Sequence, residues 1–148
     1  MKKITLLLFV AALPFLSCSS DENDQRGRNI KATIDGQTYI FNTLVVEQHP
    51  YNENGFEYTD VEITGSINND PSRTISIVVM EGATGHDASW YFAHFHEEEP
   101  FVKDEHFITH VTESDNNYIK GTFSGTLVST EDGSTQTITD GSFEVTYN

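Results

Sequence analysis

From residue 29 onward, apolar side chains recur at every second position in short runs rich in Thr, Val, Ile, Tyr and Phe. A period of two sends successive side chains to opposite faces of an extended backbone, so each run predicts a strand with one buried face. The first two runs, 30–34 and 37–41, flank Asp35-Gly36, a pair suited to a type I′ hairpin because both central residues need positive φ. Residues 44–48 continue or follow the second run. Asn68-Asn69-Asp70-Pro71 predicts a second hairpin between 56–67 and 74–80. Residues 88–96 are expected to pair with 107–113 across an acidic loop. Asp132-Gly133 and Asp140-Gly141 then predict turns that divide 118–129, 135–139 and 142–147. No run carries a helical stripe. Eight or nine short strands with regular turns define an all-β class, an antiparallel β-sandwich or barrel. Ile119, Phe123 and Leu127 share a predicted core face with Gly121 and Gly125, where a ring or a neighbouring backbone is expected to lie close. Phe143, Val145 and Tyr147 form the matching face of the last strand.

The amino terminus follows other rules. Lys2 and Lys3, the apolar run 4–16 and the small Ser17 before Cys18 have the three parts of an export signal, residues 1–17. The apolar run is too short for a permanent membrane-spanning helix. Phe15-Leu16-Ser17-Cys18 resembles the lipobox of bacterial lipoproteins, with Phe15 where Leu is usual. The resemblance implies cleavage before Cys18 and a diacylglycerol on its thiol. Ordinary secretory cleavage is the competing reading, and it leaves the single cysteine of the chain without a role. Residues 18–28 are polar, lack periodicity and read as a flexible tether to one β domain, 29–148.

Serine after Cys18, followed by Asp21 and Glu22, is similar to the export tag of Bacteroidetes-type lipoproteins, which implies display on the outer face of the outer membrane. A periplasm-facing anchor is the alternative. Asn117-Tyr118-Ile119-Lys120-Gly121-Thr122-Phe123-Ser124-Gly125-Thr126-Leu127 and Ile138-Thr139-Asp140-Gly141-Ser142-Phe143-Glu144-Val145 also resemble the ending of small Bacteroidetes-type lipoproteins with a domain of unknown function. Asp140 replaces the more familiar Asn of that pattern, and residues 32–39 fit its opening hairpin. The resemblance implies a β-rich exported domain and brings no catalytic residues with it.

Composition narrows the functional classes. A chain of 148 residues has room for one core. Its 8 Lys and Arg stand against 23 Asp and Glu, a formal charge of −15 that argues against nucleic-acid partners and against electrostatic adsorption to anionic lipids. Membrane attachment is therefore expected through the lipid alone. A lone cysteine excludes an internal disulfide and paired-cysteine zinc sites.

Catalytic motifs are few. Gly121-Thr122-Phe123-Ser124-Gly125 has its serine one place late for a nucleophile elbow. His96-Glu97-Glu98-Glu99-Pro100 begins like a zinc-protease helix, but Pro100 takes the second histidine's place and would break that helix. His94, His96, His106 and His110 form the remaining constellation. If 88–96 pairs with 107–113 about Phe101, the four imidazoles gather on one sheet face as ligands for Zn or Cu, with Glu97 and Glu105 to orient them. His49 and His86 fall outside that arrangement. Trp90 and Tyr91, in the aromatic run Trp90-Tyr91-Phe92 near Glu97-Glu98-Glu99, are candidates for stacking on a sugar ring. The leading expectation is a non-enzymatic, lipid-anchored cell-envelope domain acting as a binding or accessory module for a protein or glycan. The alternative is a metal-binding protein or metal-dependent enzyme built on the histidine cluster.

Overall fold

The computed structural model describes residues 27–148; the export segment and Cys18 lie outside the described residues. Ten antiparallel strands form one sheet: β1 (Asn29–Ile34), β2 (Gln37–Phe41), β3 (Thr43–Glu53), β4 (Phe56–Ile67), β5 (Asp70–Met80), β6 (Ser89–His96), β7 (Glu99–Lys103), β8 (Ile108–Asp115), β9 (Tyr118–Ser129) and β10 (Thr135–Thr146). Their order is β2-β1-β10-β9-β7-β6-β5-β4-β3, with β8 also paired to β9. The two ends of this path, β2 and β3, are separated in the chain by Asn42 alone. The sheet therefore curls back on itself, and the side chains of Ile30 and Phe41 lie directly against Gly65 on β4. Asn42 ties that corner to the β4–β5 turn, donating from Nδ2 to Asn68 Oδ1 at 2.9 Å and accepting from Asn68 N at 2.8 Å.

The turns carry the backbone strain that hairpins demand. Asp35 and Gly36 have φ of 49° and 82°, Asn54 and Gly55 54° and 86°, and Asn68 and Asn69 51° and 63°. Each pair places both central residues in the left-handed region, as a type I′ turn requires. Asp35 also fixes β10, accepting from Thr137 N at 2.8 Å through Oδ1.

Asp140-Gly141 is not a turn. β10 runs through it, and register shifts against both β1 and β9 mark a bulge there, with Asp140 at φ 51°. The consequence is a change of parity: Gln136 and Ile138 face the core before the bulge, and Phe143, Val145 and Tyr147 after it. Without the extra residue one half of the strand would turn its apolar side chains to water. Around the bulge, two rings cover two glycines. Phe123 lies opposite Gly141 and Phe143 opposite Gly121, with ring centroids 6.3 Å apart. A Cβ on Gly121 would sit 2.5 Å from the Phe143 ring and 2.6 Å from the His110 carbonyl. The bare backbone is what lets the ring lie flat on the strand.

The interior fills from every side of the curl. Ile63, Ile75, Ile77 and Phe92 meet Ile30, Phe41, Ile119, Leu127 and Ile138, all with essentially no exposure. Phe92 contacts Phe123 and Phe107 at centroid distances of 4.7 and 4.5 Å.

The expected pairing of 88–96 with 107–113 does not occur. β6 turns instead at Glu97-Glu98 into the short β7, which returns beside it and then pairs with β9. β8 pairs with the other half of the same β9 edge. β7 thus separates the two runs that the acidic loop was expected to join, and its presence makes the tenth strand.

Candidate functional site

Because β7 intervenes, the four histidines do not converge: His94 and His96 lie side by side on β6 with ring centroids 6.3 Å apart, while His106 and His110 lie in the β7–β8 turn and on β8. His94 is 2% exposed inside the curl, with Nδ1 at 2.7 Å from Gln136 Oε1 and the edge of its ring toward Phe41. Burial pushes its pKa down to about 4, with the nearby Arg73 and His96 adding to the fall against the Gln136 hydrogen bond. His96 sits near the end of β6, where Nε2 lies 2.6 Å from Arg73 Nη2. Arg73 in turn stacks over the Tyr39 ring at 4.6 Å. His106 is exposed in the β7–β8 turn beside Asp104. His110 stacks on His86, with centroids 4.6 Å apart. The pairing expected to gather the four histidines on one sheet face is therefore absent: β7 pairs with β6, and His106 and His110 share no ladder with His94 and His96.

Trp90 and Tyr91 are brought together. In the β5–β6 ladder Val79 pairs with Ser89 and Val78 with Tyr91, so Trp90 is the extra residue of a bulge. Strict alternation would have put Trp90 on the face of Phe92 and His94, inside. The bulge releases it outward next to Tyr91, and the two rings stand 6.0 Å apart at 58°. Trp90 is 56% exposed. Phe92 goes inward, where alternation had to send one member of the Tyr91-Phe92 pair.

The outer face of β4, β5 and β6 around these rings forms a shallow groove of about 380 Å³, with Trp90, Tyr91 and Phe95 on one side and Glu62, Thr74 and Ser76 on the other. Ser76 Oγ donates to Glu62 Oε1 at 3.3 Å, which fixes the carboxylate at the groove's rim. Burial, with the Glu62 charge beside it, raises the Tyr91 hydroxyl above its ordinary pKa and keeps it a neutral donor. A second depression of about 560 Å³ opens on the other flank of Trp90, lined by His86, Asp87, Lys103 and Ile108. Trp90 is thus a ridge between two open grooves. Apolar ring surface bordered by a few hydroxyl and carboxylate groups is the chemistry of a site for an amphipathic ligand. The signal the sequence withheld was the bulge, since nothing in Ser89-Trp90-Tyr91 departs from ordinary strand composition.

Among the described residues, one set of histidine and carboxylate ligand atoms does lie close together, and it involves none of the four expected histidines. Glu47, His49 and Glu62 on β3 and β4 bring one ligand atom each within 4.8 Å of the others.

Comparison of the chain with protein-family models, curated proteins and solved structures gives no match.

Proposed function

We propose that the chain is a non-enzymatic module of the cell envelope, held to the outer membrane by a lipid on Cys18 and displayed on the outer surface, and that it binds a glycan. The observation that supports glycan binding is the outward release of Trp90 beside Tyr91, facing Thr74, Ser76 and Glu62 across a groove. Flat rings stack on the apolar face of a pyranose, and the hydroxyls and carboxylate accept and donate around its edge. A net charge of −15 favours neutral or cationic polysaccharides over acidic ones. The lipobox-like Phe15-Leu16-Ser17-Cys18 supports the anchor.

The test has two arms. Electrophoresis of the full-length protein through gels holding neutral polysaccharides should show retardation that Trp90→Ala and Tyr91→Ala abolish. Equal mobility of wild type and both variants across the panel would refute the glycan reading. Cys18→Ser should move the protein from the detergent phase to the aqueous phase, because each buried lipid CH₂ contributes about 0.8 kcal/mol to membrane binding. Unchanged partitioning would remove the anchor.

A further inference from the structure

We infer that Glu47, His49 and Glu62, on the outer face of the β3–β4 hairpin, form a divalent-cation site of the zinc class. The hairpin register sets Glu47 opposite Glu62 and His49 opposite Asp60. Residues two apart share a face, so the four side chains occupy one patch. Val61 and Ile63 point the other way, into the core. Within the patch, His49 Nε2 lies 3.5 Å from Glu62 Oε2 and 3.8 Å from Glu47 Oε2. Ligand atoms around a tetrahedral zinc with bonds of about 2.0–2.2 Å are separated by about 3.3–3.6 Å, close to the spacing of His49 from each carboxylate.

A second observation comes from the atoms that lack partners. Asp60 is only 5% exposed, yet its Oδ1 has no hydrogen bond, and the enclosed His49 Nε2 has none either. A buried carboxylate oxygen left unpaired costs more than a hydrogen bond returns, and two glutamates directly opposite each other across a ladder add repulsion. Among the described residues no lysine or arginine pairs with any of the four, and the lysine ion pair that forms, Lys120 with Glu113, is on other strands. A cation held by Glu47, His49 and Glu62 offsets the repulsion between the two glutamates and gives His49 Nε2 a partner. Ser76, donating to Glu62 Oε1, leaves Oε2 turned toward His49, which is the role of an orienting partner behind a metal ligand. One imidazole nitrogen with carboxylate oxygens suits zinc or its neighbours in the transition series; calcium calls for six to eight oxygens. The competing account is direct contact of His49 with the two glutamates and no metal.

The experiment is calorimetric titration of chelator-dialysed, full-length protein with zinc chloride near neutral pH, for wild type, His49→Gln, Glu47→Gln and the double variant His96→Ala/His106→Ala. Glu47 and His49 are chosen because neither borders the Trp90 groove, so loss of zinc binding and loss of glycan binding are separable. One equivalent is expected in the wild type and in the His96/His106 double variant. More than about tenfold weakening is expected in His49→Gln and in Glu47→Gln, each with unchanged apo circular dichroism. No binding by the wild type, or binding of equal affinity by His49→Gln and Glu47→Gln, overturns the site.

Discussion

Phe123 and His94 show what single side chains contribute. Phe123 is 2% exposed and lies among Phe92, Phe107 and Phe143, so truncation removes a filled volume at the centre of the core and strips Gly141 of its cover. Phe123→Ala is expected to cost about 3–5 kcal/mol in denaturant unfolding. A loss below about 1 kcal/mol would contradict its place in the core. His94 makes stability depend on pH. Its folded pKa of about 4 lies below the ordinary 6.5, so the unfolded chain binds the proton more readily. Stability from this group is complete above about pH 6.5 and falls as the pH drops toward 4, by at most about 3 kcal/mol. Gln136, Arg73, His96 and Asp35 are the groups that act on it. Across that window, His94→Gln should flatten the fall in unfolding free energy relative to the wild type. Parallel curves would contradict the buried neutral imidazole.

At the scale of strands and turns, legibility follows turn chemistry. Asp35-Gly36 and Asn68-Asn69 are residues that accept positive φ at little cost, and the hairpins they close are legible in the amino-acid sequence itself. Glu97-Glu98 performs the same task with φ of 52° and 75°, and glutamate gives no sign of it. Pro100 inside β7 hides the strand further, because proline ordinarily marks the limit of a ladder. The missing strand then displaces the whole expected histidine cluster, since one wrong neighbour relocates every side chain on a sheet. The bulges at Trp90 and Asp140 are equally silent: an inserted residue changes register without changing composition. Core positions such as Ile119, Phe123, Val145 and Tyr147 are legible because the runs holding them lie wholly to one side of a bulge. The strained turn makes its own prediction. Glu98→Gly relieves a left-handed conformation at an exposed position and should raise unfolding free energy by about 0.5–1 kcal/mol. A decrease would contradict the turn geometry.

Across the whole molecule, one sheet curls around one core and turns two chemistries outward on adjoining strands. β3 and β4 carry the Glu47, His49 and Glu62 patch, and β4, β5 and β6 carry the aromatic groove, with Glu62 at the border of both. Acidic charge over the rest of the surface keeps anionic polymers away. Under the proposed glycan reading, Trp90, which stands 56% exposed outside the sheet, holds the ligand. It is also the chain's single tryptophan, so its emission reports on that place alone. The most direct measurement is therefore tryptophan fluorescence during titration of the full-length protein with oligosaccharides. Binding should shift the emission to the blue and shield Trp90 from acrylamide, with both effects lost in Tyr91→Ala. Emission and quenching unchanged at saturating concentrations of neutral, basic and acidic sugars would contradict the account.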